Sequence, residues 1–289
     1  MNSTPIVYLN GEFLPADQAK VSVLDRGFVF GDGVYEVIPV YGGRLFRLQE
    51  HLKRLDDSLI SVRIPPPCTH SKWTEILTSL VQHNNGGDQS VYLQITRGVA
   101  PRDHAFPKNT EPTLFAMANP LKPVPADVLQ TGVSAITLDD FRWQYCQIKA
   151  IALLPNILAR QQAVDVGAAE AIFVRNGVVT EGAASNLFIV RNRTLITPPK
   201  SQYLLPGITR DLVLEIARAN HITCREEHIS REELFAADEV WLTSSTKEIL
   251  PVTTLDNKTV GTGHPGPIWS RMLTLYQDYK QKLRDGSRQ

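Results

Sequence analysis

Three cysteines are all this sequence has, Cys68, Cys146 and Cys224, and they stand too far apart for a CxxC pair. That spacing excludes a thiolate metal site and a disulfide framework and fits reduced thiols in the cytosol. No charge is in surplus: 30 basic residues face 30 acidic ones, so no net field draws the chain to nucleic acid or an anionic membrane. A small molecule or a second copy of the chain is the expected partner. Nowhere do about 18 apolar residues follow one another, the length a membrane span needs. Residues 1–13 lack a basic stretch leading into an apolar one, so the expectation is a cytoplasmic protein, neither exported nor inserted. There is also no Gly-x-Gly-x-x-Gly, no Walker loop, no repeat and no low-complexity tract, which sets aside the common dinucleotide and nucleoside-triphosphate folds.

What is there is a chain of 289 residues, enough for two ordinary domains with real cores. Short alternating segments open it. Ile6 to Leu9, the turn Asn10-Gly11 and Glu12 to Leu14 read as a tight hairpin, and Val34 to Tyr41, Gly42-Gly43 and Arg44 to Phe46 as a second. Leu48, Leu52, Leu55 and Leu59 then recur at helical spacing, and a helix is expected again over residues 72–82. Residues 91–97 and 113–118 read as strands, and adjacent strands suggest antiparallel pairing. Residues 118–125 are rich in proline and form the best linker. This divides the chain into an N-terminal α+β domain, 1–119, a linker, 120–126, and a C-terminal domain, 127–289. In the second half a strand is expected near 133–137, a helix near 155–166, hairpins about Asn176-Gly177 and Arg191-Asn192, and a helix from Thr209 to Asn220. Ser230 with Glu233 forms a capping box. Helices and hairpins mix throughout, which argues for an α+β fold in two domains and against a doubly wound sheet.

Composition and periodicity end there. Asp25-Arg26-Gly27-Phe28, Phe30-Gly31-Asp32-Gly33-Val34-Tyr35-Glu36, His51-Leu52-Lys53-Arg54-Leu55, Ile148-Lys149, Thr180-Glu181-Gly182, Ser185-Asn186, Gly207-Ile208-Thr209-Arg210 and Thr243-Ser244-Ser245 are each ordinary. Together, in this order along nearly the whole chain, they resemble the fold-type IV pyridoxal-phosphate enzymes. The resemblance implies a smaller N-terminal α/β domain, a larger C-terminal domain with a barrel-like sheet, and pyridoxal 5'-phosphate as cofactor. Residues 95–107, with Arg102-Asp103-His104 at their centre, resemble the substrate-carboxylate loop of the D-amino-acid aminotransferases, which branched-chain aminotransferases lack. The implied reaction is transfer of the amino group between D-amino acids, such as D-alanine, and 2-oxo acids, such as 2-oxoglutarate.

The same resemblance assigns residues. Lys149 would carry the cofactor as a Schiff base and serve as the catalytic base; the apolar run from Cys146 to Leu154 would favour its neutral form. Glu181 would keep the pyridine nitrogen protonated. The N–H groups of Ile208 and Thr209, with Arg54 and Ser245, would hold the phosphate, and Leu205 would complete the cofactor site. Tyr35, Arg102 and His104 would hold the substrate carboxylate, with Val37 and Ser244 beside them. Arg102 and His104 would reach the neighbouring subunit's site, so a homodimer is implied. Spacing alone leaves other readings open: Lys149 as a surface lysine with a snorkelling stem, Arg54 on a solvent face, Thr209 as a simple N-cap, Glu181 as a solvated carboxylate at a hairpin end.

Ala183 and Ala184 stand where D-amino-acid aminotransferases often have serines, and Pro39 where many have lysine, which leaves the range of substrate side chains open. The competing activities on the same machinery are a branched-chain L-amino-acid aminotransferase, an (R)-amine transaminase and aminodeoxychorismate lyase. Arg102-Asp103-His104 argues against the lyase. A carrier of the cofactor without catalysis would need no Lys149 together with a carboxylate trap.

Overall fold

Asn10 and Gly11 carry the left-handed backbone, φ 48° and 103°, that a two-residue hairpin turn needs. Ile6–Leu9 (β1) and Glu12–Pro15 (β2) pair antiparallel across them. The structure, a computed structural model, describes residues 4–286. It divides into two units: one made of the chain up to Lys122, Ile148–Ala152 and the chain from Lys282 on, the other of Pro123–Gln147 and Leu153–Gln281.

In the first unit, a short helix Arg26–Phe30 (α1) precedes Gly33–Tyr41 (β3), Arg44–Leu45 (β4), the helices Leu48–Ser61 (α2) and His70–His83 (α3), then Gln89–Thr96 (β5) and Thr113–Pro120 (β6). The sheet runs β2-β1-β6-β5-β3-β4, and every neighbouring pair is antiparallel, both where the strands follow one another in sequence, as β1 and β2, β3 and β4, β5 and β6 do, and where they do not, as in β1 with β6 and β3 with β5. Val34 and Ile38 of β3 with Val91, Leu93 and Ile95 of β5 face Leu52, Leu55 and Leu59 of α2 and Trp73, Leu77 and Leu80 of α3. Strand alternation sends Tyr35 and Val37 to the other face. The last strand runs to Pro120, into the proline-rich stretch, because Pro120 sits at the end of the ladder opposite Gln89, where a missing N–H costs little.

β4 pairs only with Val40 and Tyr41, leaving the beginning of β3 open at its edge. Ile148–Ala152 fills that edge: Tyr35 N–H donates to the Lys149 carbonyl at 2.9 Å, Ile151 N–H to the Gly33 carbonyl at 3.1 Å, and Val34 bridges Ala150. The backbone of Lys149 is thereby fixed to β3, and its own N–H donates to Ser58 Oγ at 3.2 Å.

The second unit contains Ala126–Thr131 (α4), Val133–Asp139 (β7), Leu154–Asp165 (α5), Glu170–Arg175 (β8), Val178–Gly182 (β9), Asn186–Arg191 (β10), Thr194–Thr197 (β11), Ile208–Ala219 (α6), Cys224–Glu226 (β12), Arg231–Phe235 (α7), Glu239–Ser244 (β13), Glu248–Leu255 (β14) and Lys258–Thr259 (β15). Pro267–Arg284 (α8) is the last element among the described residues. The nine strands order as β12-β11-β10-β13-β14-β7-β8-β9, with β15 on β14, and the sheet curls as a half-barrel. Hairpins pair β10 with β11, β13 with β14, β14 with β15 and β8 with β9, and a longer connection brings β13 antiparallel to β10. Parallel pairs join β7 to both β14 and β8 and β12 to β11. Leu187, Ile189, Val240, Leu242, Leu250 and Val252 form its main core. The capping box of α7 is present in full, with Ser230 Oγ accepting from Glu233 N–H and Glu233 accepting from Ser230 N–H. Among the described residues, no helix is long and apolar enough to cross a membrane, and all three cysteines are free thiols.

Candidate active site

A carboxylate at an inward position of β3 needs a reason, because its neighbours on that face, Val34 and Ile38, are core residues. Glu36 is fully buried. Arg54 of α2 grips it with both arms, Nε to Oε1 at 2.8 Å and Nη2 to Oε2 at 2.7 Å, and His51 Nδ1 meets Oε2 at 2.8 Å. Burial by itself would raise the Glu36 carboxyl; the charge and hydrogen bonds of Arg54, with the His51 bond, outweigh it and hold it well below the usual carboxylate range. Burial lowers the His51 imidazole more than Glu36 raises it, so Nδ1–H donates from a neutral ring. Arg54 is therefore an oriented, buried guanidinium and does not stand on a solvent face.

On the opposite face of β3 the half-buried Lys149 directs its amine over the Tyr35 ring, 4.1 Å from the centroid. Tyr35 stacks in turn on Tyr92, at 5.6 Å, whose hydroxyl donates to Gln94 Oε1 at 2.7 Å. Val37 shares this face. Arg102 and His104 lie in the loop between β5 and β6, exposed in the single chain, both beside the Phe30 ring.

In the second unit, Glu181 is the penultimate residue of β9 and is buried, so it is not a solvated hairpin carboxylate. Arg142 Nη1 donates to Oε1 at 2.6 Å; Asn186 Nδ2 and Leu205 N–H donate to Oε2 at 3.1 and 3.0 Å. Burial pushes the Glu181 carboxyl up to about 7, with Arg142 and the Leu205 N–H pulling the other way. Arg142 is itself fixed by Asp140, Nε to Oδ1 at 2.9 Å and Nη2 to Oδ2 at 3.0 Å.

Asn186 also donates to the Leu205 carbonyl at 2.8 Å, which ties Glu181 to the loop leading into α6. Gly207 is the N-cap of α6, with no side-chain cap, and a Cβ there would lie 1.9 Å from Asn186 Oδ1. Ile208 and Thr209 are buried in the first turn, whose N–H groups have no acceptor within the helix. Thr209 is thus not the cap. Beside them on β13, Thr243 pairs with Asn186 across the strands, and its buried hydroxyl has no hydrogen-bond partner. Ser244 ends β13, its hydroxyl accepting from Lys247 N–H at 3.2 Å, and Ser245 begins the turn that follows.

An uncapped helix start, an orphaned hydroxyl and serine hydroxyls are donors without an internal anion, which suits a phosphate. A buried carboxyl near 7 suits a basic ring nitrogen, and a lysine amine on an aromatic face suits an aldehyde. Each of these groups, by its own chemistry, suits one part of an aromatic aldehyde phosphate. Arg142, Asp140, Glu36, His51, Asn186 and Thr243 carry no assigned role in the sequence reading. Glu36 had a signal, a charge at a core position of an alternating strand; Arg142 had none, since 39 residues separate it from Glu181.

Residues 33–255 match the family model for amino-transferase class IV. The chain is 40% identical over 272 residues to the D-alanine aminotransferase of Bacillus licheniformis, covering 94% of this chain and 96% of that one. It is 39% identical to the D-alanine aminotransferase of Staphylococcus haemolyticus, over 94% and 97% of the two chains. Among solved structures, the Escherichia coli branched-chain amino acid aminotransferase superposes with a TM-score of 0.89 at 30% identity, over 95% of this chain and 94% of that one. The branched-chain aminotransferase of the archaeon Thermoproteus uzoniensis, solved with norvaline, does so with a TM-score of 0.84 at 28%, over 97% and 95%.

Proposed function

The chain belongs to the class IV aminotransferase family, and from that premise we propose that it is a pyridoxal 5'-phosphate-dependent transaminase exchanging the amino group between D-amino acids, D-alanine among them, and 2-oxo acids such as 2-oxoglutarate. The observation that carries this reading is the near full-length likeness to D-alanine aminotransferases. The Arg102-x-His104 loop supports it.

When bound, the cofactor supplies an aldehyde that takes up the amino group and a ring that draws off the electron pair left by the α-proton. Lys149 would hold the cofactor through its amine, and that amine would take the proton from the substrate's α-carbon. Its backbone, stitched to β3 and Ser58, leaves only the side chain to move. Glu181 holds a proton on the ring nitrogen; Arg142, Asn186 and Leu205 fix its two oxygens in direction. The N–H groups of Ile208 and Thr209, with Ser245 and Arg54, bind the phosphate, Glu36 aiming the Arg54 fork. Tyr35, Arg102 and His104 would hold the substrate carboxylate and so fix the direction of its Cα–H bond, with Val37 and Ser244 beside the side chain. In this reading Arg102 and His104 serve the partner's site in a homodimer.

A second reading, a branched-chain L-amino-acid aminotransferase, draws on the solved structures that superpose on the fold. Both readings share Lys149 and Glu181. The centre they share is tested by borohydride reduction of the yellow holoenzyme followed by peptide mapping. The cofactor should be found on Lys149, and Lys149→Ala should retain cofactor without the covalent link. An adduct on another lysine would overturn the assignment of the whole centre.

A further inference from the structure

The loop of residues 97–112 runs between the cross-strand partners Thr96 and Thr113. Its neck is tight: Gly98 has φ 96°, and a Cβ there would lie 1.9 Å from the Glu111 carbonyl oxygen. Asp25 ties that neck to α1. One carboxylate oxygen caps the helix at Gly27 N–H, 2.7 Å away, while the other accepts the hydroxyls of Thr96 at 3.0 Å and Thr113 at 2.6 Å.

The next residue, Arg26, is buried under the loop. Asp32 fixes its guanidinium through Nε at 2.7 Å. Nη1 then donates to the Asp103 carbonyl at 2.5 Å and the Ala105 carbonyl at 3.4 Å, and Nη2 to the His104 carbonyl at 3.5 Å. Three consecutive carbonyls thus converge on one charged fork, a geometry a lysine point charge cannot reproduce. Arg97 shares Asp32, at 2.8 and 3.0 Å, and lies 3.7 Å over the Phe106 ring. The side chains follow the backbone: the Phe30 ring at the end of α1 packs against Arg26 at 4.8 Å, Arg102 at 5.3 Å and His104 at 5.5 Å.

We propose that Arg26 is a positioning residue for the substrate carboxylate, holding the backbone of residues 103–105 so that Arg102 and His104 act as a pair. This rests on the reading that Arg102 and His104 bind that carboxylate, and adds what sets their spacing. Nothing local in a loop of 16 residues brings the Arg102 and His104 side chains together; the fork beneath it does.

The test uses holoenzyme and propionate, an unreactive carboxylate of alanine's size, as a competitor of D-alanine, with amide hydrogen exchange over the loop. Arg26→Lys keeps a charge beside Asp32 but loses the fork. It should raise the propionate inhibition constant and the KM for D-alanine at least about tenfold, the worth of charge-assisted bonds, with a smaller fall in kcat. Exchange at 103–106 should quicken and cofactor absorbance stay. Arg102→Leu tests the underlying reading separately. If Arg102→Leu leaves propionate binding unchanged, the carboxylate reading itself fails. If Arg102→Leu weakens it and Arg26→Lys does not, only the Arg26 inference falls. Failure of Arg26→Lys to fold, or lowered kcat and Tm with propionate binding intact, would also overturn it by making Arg26 merely structural.

Discussion

Asn186 donates one amide hydrogen to the Glu181 carboxylate at 3.1 Å and the other to the Leu205 carbonyl at 2.8 Å, so the acid assigned to the ring nitrogen and the approach to α6 move as one piece. Glu181 completes the ring by accepting the Leu205 N–H. Gly207 makes room for it.

Gly207→Ala should therefore disturb more than its own position. The added Cβ would stand 1.9 Å from Asn186 Oδ1, so either Asn186 leaves Glu181 or α6 shifts. A stability loss of about 1–3 kcal/mol is expected from the overpacking, with weakened cofactor affinity measured by titrating apoprotein. Wild-type affinity in the variant would uncouple the helix start from Glu181.

The raised Glu181 carboxyl has a pH signature in the apoprotein. Its folded value, about 7, lies above the ordinary 4.5, so the native state holds a proton that the unfolded chain gives up. Its contribution to stability is complete below 4.5 and is lost as pH rises through about 7. Urea unfolding of wild type and Glu181→Gln at about pH 5 and about pH 8 isolates this slope, which the amide cannot have. Equal slopes in both proteins would show that Glu181 titrates as an ordinary carboxylate.

Arg54 and Glu36 form a buried pair, and breaking one side leaves the other charge stranded. Arg54→Met should cost about 3–5 kcal/mol, while the double replacement Arg54→Met with Glu36→Gln should recover much of it. Both should lose phosphate affinity. Denaturant titrations across the four members of this cycle measure the coupling, and additive losses would mean that the two residues are independent.

Local signals carried much of the architecture. Asn10-Gly11 and Asn176-Gly177 marked hairpins because their positive-φ backbone is a local requirement, and the leucines of α2 marked a helix because its buried face repeats. The short helix α1 escaped, having only five residues and no periodic face. So did α8, although Trp269, Met272, Tyr276 and Leu283 line its buried side; its middle is interrupted by charged and polar residues. Nothing in the sequence marks Ile148–Ala152 as completing the edge of β3, since that pairing spans more than a hundred residues. The site was legible only as a set of motifs in order. Which residues aim them, Glu36 for Arg54 and Arg142 for Glu181, depends on contacts between segments that no local pattern encodes.

The reaction itself is tested most directly by offering the holoenzyme D-alanine, L-leucine and L-valine in competition with 2-oxoglutarate as common acceptor, and resolving the products by chiral chromatography. The account predicts pyruvate and D-glutamate in equal amounts, with the two L-amino acids left untouched. Preferential consumption of L-leucine or L-valine, with L-glutamate as the product, would contradict it.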